Sequence, residues 1–152
     1  MEDEPASAAL AARRLIEGSR HAVLCTSMSD GAPYGSLVAV AQDRGGAPLL
    51  FLSDLAEHSK NLRSDARAAL VYRPPDGPGD PLALPRVTAV GRVLREGGPD
   101  CLADYLARHP EAERYTAFRD FNLYRMTVER AHLVAGFGRI HWIDAAALFA
   151  AA

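Results

Sequence analysis

The chain is 152 residues long, a length that fits one domain over 1–152 and leaves no room for two independent cores. Hydrophobic residues make up 49% and charged residues 24%, which excludes a disordered or collagen-like chain. Seventeen basic against nineteen acidic residues give a net charge of −2, so no global basic footprint points to nucleic acid. Cys25 and Cys101 lie far apart, outside any paired metal or redox spacing, and read as two free thiols. The opening Met1-Glu-Asp-Glu-Pro5 has the wrong charge for a signal peptide, and no apolar run approaches the roughly 20 residues of a membrane span. The expectation is a cytoplasmic protein with neither nucleic acid nor membrane as a partner.

Ser7 to Arg20 reads as an amphipathic helix with Ser7 as N-cap and Ala8, Ala12, Leu15 and Ile16 on its apolar face. His21 to Met28, Tyr34 to Gln42 and Pro48 to Ser53 are strands separated by the turn residues Ser29-Asp30-Gly31 and Asp43-Arg-Gly-Gly46. Three strands joined by tight turns predict an antiparallel meander. Asp54-Leu-Ala-Glu57 has capping-box spacing, which predicts a short helix over Leu55 to Ser64 capped by Asp54. Ala66 to Tyr72 is a strand, and Arg73 to Pro81, with four prolines and two glycines, is a surface loop. Arg86 to Arg95 is a long strand, Pro99 to His109 a helix, and Glu111 to Phe118 its continuation beyond Pro110. Phe121 to Val128 and His132 to Phe137 form a final hairpin that Gly138 to Ile143 extends. The fold class is mainly β, a small antiparallel barrel with peripheral helices and Greek-key connections.

The histidines at 21, 58, 109, 132 and 141 show no short paired spacing of a zinc site, so no protein-bound metal is expected. Ser53, Asp54 and His58 lie close in sequence, but one helical turn does not align a nucleophile, a base and an orienter. Two segments carry more. Leu52 to Asn61 leaves a strand and opens a helix, where the Ser53 hydroxyl, exposed N–H groups and Lys60 could hold a phosphate. Gly136 to Ile143 alternates, so Arg139 and His141 should share one strand face and Ile140 and Trp142 the other. An arginine and a histidine on one face suit an anionic or aromatic ligand. The alternative is a barrel strand whose Trp142 fills the core while Arg139 faces solvent.

Together, Tyr34 to Val40, Leu49 to Val71, Arg86 to Arg92, Tyr124-Arg-Met126 and Gly136 to Trp142 resemble the pyridoxamine 5′-phosphate oxidase-like, FMN-binding split-barrel family. Asp54-Leu-Ala-Glu-His-Ser-Lys-Asn-Leu62 with Gly136-Phe-Gly-Arg139 is most similar to its haem-utilisation branch. The resemblance implies a homodimer with two FMN molecules in clefts between subunits. It implies that Ser36, Leu37, Val38 and Ala39 run along the flavin edge, and that Ser53, Asp54, Ser59 and Lys60 lie at the phosphate end. Trp142 joins this cofactor-contacting set, and Arg139 and His141 match the pair that approaches substrate. Ser36, Ala41 and Ala56 depart from the oxidase pattern of arginine, lysine and tyrosine. The implied activity is an FMN-dependent oxidoreductase for a small-molecule substrate. The alternatives are a haem-binding or haem-degrading protein with His141 or His132 as axial ligand, a deazaflavin in place of FMN, or a non-enzymatic dimer.

Overall fold

Each apolar-alternating segment supplies backbone groups that must find partners, and here they find one another in a single antiparallel sheet. A computed structural model of the chain describes residues 4–136 and 138–151. Helix α1 (Glu4–Gly18) is followed by β1 (His21–Ser27), β2 (Pro33–Ala39), β3 (Ala41–Gln42), β4 (Pro48–Ser53) and helix α2 (Glu57–Ser64). Then come β5 (Arg67–Tyr72), β6 (Arg86–Leu94), helix α3 (Pro99–Arg108), β7 (Phe121–Val134), β8 (Ile140–Asp144) and helix α4 (Ala145–Ala150). The hydrogen-bonded order is β2-β1-β5-β6-β7-β4-β3, with β8 also paired to β7. The sheet curls into a half-barrel with peripheral helices.

One face carries the core. Leu24, Leu70, Tyr72, Val87, Ala89, Met126 and Leu133 are fully enclosed, and α1 lays Ala8, Ala9, Ala12 and Ile16 onto the same cluster. Arg13, away from the apolar face of α1, donates to the carbonyl oxygens of Leu148 and Phe149 at 3.4 and 3.0 Å, closing the last turn of α4. His109 is buried, and its Nε2–H donates to the Val40 carbonyl at 2.7 Å, which ties the end of α3 to the break between β2 and β3.

Strand β7 organises the sheet. β6 runs along one edge, while β4 takes the first half of the other edge and β8 the second. Val90 pairs with Arg130 but Gly91 with Val128, so Glu129 is an extra residue and the ladder bulges there. Gly91 answers that close approach, since a Cβ would lie 2.0 Å from the Thr127 carbonyl oxygen.

Several expectations are corrected. The first three long strands do not form a meander: β1 pairs β2, but β3 and β4 lie at the far edge beside β7. The strand expected over Tyr34–Gln42 breaks at Val40, whose N–H bonds to the Arg20 carbonyl. The last hairpin turns at residues 135–139 rather than 129–131, because the bulge absorbs Glu129 without ending β7. Phe137 lies outside the described residues. Helix α1 begins at Glu4, so Ser7 is inside it and is no N-cap. The segment after Pro110 is a 3₁₀ helix over Pro110–Ala117. No helix among the described residues is long and apolar enough to cross a membrane.

Candidate functional site

The junction from β4 into α2 is where the phosphate-binding residues were expected. Asp54 does not cap α2; Ala56 holds the cap position, with no side-chain cap bond. The Asp54 carboxylate instead accepts from Asn122 Nδ2 at 2.7 Å and from the Tyr124 hydroxyl at 3.0 Å, with Arg95 at 3.8 Å. Burial first and the Asp54 carboxylate second hold the Tyr124 hydroxyl above its ordinary pKa, against a smaller lowering by Ser59. Ser53 donates to Asp120 Oδ2 at 2.7 Å and accepts from the Leu55 N–H at 3.2 Å. Both residues serve to lock the start of β7 against the end of β4.

Helix α2 turns its polar residues in opposite directions. Ser59 is fully buried, and buried Asn61 donates to Thr26 Oγ1 at 3.0 Å. His58 is half-buried and shares a 3.1 Å hydrogen bond with Ser36 through Nδ1, while its buried Nε2 has no partner among the described residues. Burial lowers the His58 pKa, so the ring is neutral near pH 7. Lys60 is exposed. Ser36, Ser53 and Ser59 are thus occupied or enclosed, and Lys60 is the cation left to face an anion at the start of the helix. Strand β2 is the terminal strand of the sheet, so alternate peptide groups between Ser36 and Ala39 face outward without a strand partner. Val38 points into the core, Ala39 is half-buried and Leu37 is 74% exposed on the opposite face.

The second segment keeps its alternation, with its faces in a different role. Ile140 and Trp142 are 59% and 61% exposed, whereas His141 is half-buried with Nε2 3.6 Å from Glu4 Oε1. Trp142 therefore does not fill the core. Arg139 lies in the turn before β8, exposed, with its N–H bonded to Gly136 and its carbonyl to Ala135. Neither groove described on the chain is lined by Arg139, His141 or Lys60.

Pairing register reveals a feature the linear sequence hides. Leu37, Val23, Val71, Thr88, His132 and Trp142 are successive partners across β2, β1, β5, β6, β7 and β8, forming one row on the outer sheet face. At its far end the His132 and Trp142 rings lie 4.5 Å apart, and the Arg130 guanidinium sits 5.1 Å over the Trp142 ring. An imidazole, an exposed indole and a cation make a platform for a flat, anionic ligand. Only the pair Arg130-x-His132 and the lone tryptophan signalled it in sequence. Among the described residues, no group of three or more His, Cys, Asp or Glu side chains could hold a metal ion.

Comparison with known proteins agrees with this architecture. A non-canonical haem oxygenase, HOZ, from Arabidopsis thaliana chloroplasts is 33% identical over 129 residues, covering 82% of this chain and 39% of that protein. A haem-binding protein from Mycobacterium smegmatis superposes with a TM-score of 0.87 at 34% identity, over 94% of this chain and 60% of that one. The chain thus spans less than two thirds of the length of both. A Clostridium acetobutylicum protein of the pyridoxine phosphate oxidase family, 13% identical, shares the fold with a TM-score of 0.72, over 97% of this chain and 99% of that one. The family described as CREG, beta-barrel matches residues 3–150. The chain belongs to the CREG β-barrel family.

Proposed function

We propose that the chain is a haem-binding split barrel that acts as a homodimer, two copies meeting through the outer sheet face with haem between them. The observation that carries this reading is the platform on β7 and β8. Haem offers a broad apolar surface, an iron that takes neutral imidazole, and carboxylates that seek cations. His132, Trp142 and Arg130 supply a counterpart to each. His132 is the better axial-ligand candidate, because the Nε2 of His141 is turned toward Glu4. The haem-named relatives at 33% and 34% identity support the same reading. Haem degradation, the activity in the plant relative's name, is a proposal for a chain that spans 39% of that protein.

Haem titration tests it. A Soret band should appear with wild-type protein, weaken or shift in His132→Ala, and persist in His141→Ala. No band, or a band that neither substitution alters, overturns the assignment.

The FMN-dependent oxidoreductase is a second reading, favoured by the outward-facing edge of β2 and by exposed Lys60. It is the weaker one, because the hydroxyls of Ser36 and Ser53 are bonded to His58 and Asp120, and Ser59 is enclosed. A yellow protein that releases FMN, with affinity reduced in Lys60→Ala, would reverse the order.

A further inference from the structure

Strand β7 changes face part-way along. As far as Val128 its even-numbered side chains are the enclosed ones, Tyr124, Met126 and Val128; beyond Arg130 the odd-numbered ones are, Ala131 and Leu133. Strand β6 runs beside both halves and keeps a single alternation, with Val87, Ala89 and Val93 all buried. The change of parity falls at the bulge, where Glu129 is the residue without a partner on β6. A β7 that alternated strictly from Phe121 would send Arg130 and His132 into the core and turn Ala131 and Leu133 out to the surface. The bulge therefore decides that the platform residues stand on the outer face beside Trp142.

The location suits an extra residue. The other edge of β7 pairs with β4 as far as Arg125 and with β8 from Arg130, so neither ladder spans Met126 to Glu129. On the β6 side, a Cβ at position 91 would lie 2.0 Å from the Thr127 carbonyl oxygen and 2.9 Å from its carbon. Both are backbone atoms, which no rotamer change can move aside. Glu129 itself reaches only Arg92, at 3.8 Å with both side chains more than half exposed, an ion pair of little weight. It matters as one residue in the count along the strand rather than as a carboxylate.

We infer that Gly91 and Glu129 together are the positioning device of the β7 platform. Gly91 admits the bulge, the bulge absorbs Glu129, and Arg130 and His132 leave it on the face that carries Trp142. The proposal rests on the haem reading only for what the platform binds; the direction in which it faces belongs to the chain alone. Neither residue is part of the platform. Gly91 acts through His132, by setting whether the imidazole is presented at all, and through Arg130, whose guanidinium lies 5.1 Å over the Trp142 ring. One consequence separates this role from general stability. Deleting Glu129 leaves the β6–β7 pairs as they are, since Gly91 still meets Val128 and Val90 still meets Arg130, now across a regular ladder.

The test compares Gly91→Ala, a deletion of Glu129 and the two combined with wild type and His132→Ala, at temperatures where circular dichroism shows each chain folded. One readout is haem titration. The other is the emission and acrylamide quenching of Trp142, the chain's single tryptophan, which needs no ligand. Gly91→Ala should bind haem at least about 10-fold more weakly, as for other residues that orient a ligating histidine. Its Soret band and its tryptophan emission should move toward those of His132→Ala. The deletion should keep the wild-type spectra and a haem affinity within about 3-fold of wild type. The combined variant should recover both, because alanine at 91 then lies against a regular ladder. Where Gly91→Ala alone fails to fold, the combined variant must still fold with wild-type emission, and its failure overturns the proposal. Gly91→Ala that melts earlier yet keeps wild-type affinity and spectra while folded overturns the positioning role and leaves the haem reading standing. A combined variant no better than Gly91→Ala, or a deletion that behaves as His132→Ala, overturns the link between the two residues. No Soret band in wild type overturns the haem reading, while the tryptophan readout still decides the positioning.

Discussion

Replacing Asp54 with alanine separates two roles for the junction between β4 and α2. The carboxylate accepts two hydrogen bonds, from Asn122 Nδ2 at 2.7 Å and the Tyr124 hydroxyl at 3.0 Å, and its side chain is 26% exposed. A buried hydrogen bond to a charged acceptor contributes about 1.5–3 kcal/mol, and partial exposure puts each of these at or below the lower end. Arg95, 62% exposed and 3.8 Å away, adds at most about 0.5 kcal/mol. The expected loss is about 2–3 kcal/mol, a fall in Tm of about 5–10 °C for a chain of this size. Urea unfolding followed by circular dichroism measures it. A helix cap or a ligand-only contact predicts otherwise: about 1 kcal/mol lost with fraying of α2 for the cap, and no loss for the ligand contact. A double-mutant cycle with Tyr124→Phe sharpens the comparison, since the clamp requires coupling of about 1 kcal/mol between the two sites. Additive effects, or a loss below about 0.5 kcal/mol, would refute the clamp and return Asp54 to the cap or the cofactor.

Three further outcomes are expected. Gly91→Ala should destabilise by at least about 2 kcal/mol, because a Cβ 2.0 Å from the Thr127 carbonyl must part β6 from β7 at the bulge; calorimetry with an unchanged Tm would contradict this. Trp142→Glu or Leu37→Glu should convert a dimer to monomer in analytical ultracentrifugation, and dimers that survive both changes would place the interface elsewhere. Stability should fall in two stages on acidification. His58 has a lowered folded pKa through burial, so its contribution is complete above the unfolded value of 6.5 and declines as pH drops toward the folded pKa. Asp43 follows below about pH 4: burial raises its pKa, but the Arg125 hydrogen bond and the N–H groups of Ala47 and Gly45 outweigh it, so that contribution too is lost as pH falls through the depressed value. Urea midpoints at pH 7, 5 and 3 should show the first decline flattened in His58→Gln and the second in Asp43→Asn; unaltered profiles would reject these two groups as the cause.

Local signals were legible where one segment decides its own structure. Pro48–Ser53 is a strand as expected, and the proline-rich run after Tyr72 has no helix or strand before Pro81. What failed was partner choice. Asp54 has perfect capping-box spacing with Glu57, yet Asn122 and Tyr124, distant in sequence, out-compete the helix N–H groups for its carboxylate. The bulge at Glu129 has no composition mark in β7 itself; its cause is Gly91 on another strand. At the site, Lys60 is exposed, but Ser36 is hydrogen-bonded to His58 Nδ1 across 22 residues, a pairing that no motif spacing encodes.

The outer row shows why a signal can be present and still be misread. An antiparallel sheet with one wet face alternates apolar with polar residues, and β6 nearly does. Residues 22–25 of β1, 37–41 around the end of β2 and 68–72 of β5 are instead apolar in succession, a pattern that belongs to strands covered on both faces. Helices α1 and α4 cover only the inner face, where Ala12 and Leu148 lie fully buried. The outer side chains of those same strands, Leu37, Val23 and half-buried Val71, continue into His132 and Trp142 along a face where Leu37, Val23 and Trp142 stay exposed. Val23 at 39% and Leu37 at 74% exposure on two paired strands, with Val71 half-buried beside them and Trp142 61% exposed at the far end of the row, exceed what scattered surface hydrophobics require. In the proposed homodimer, a second copy laid across this face would supply the cover that the strand composition calls for.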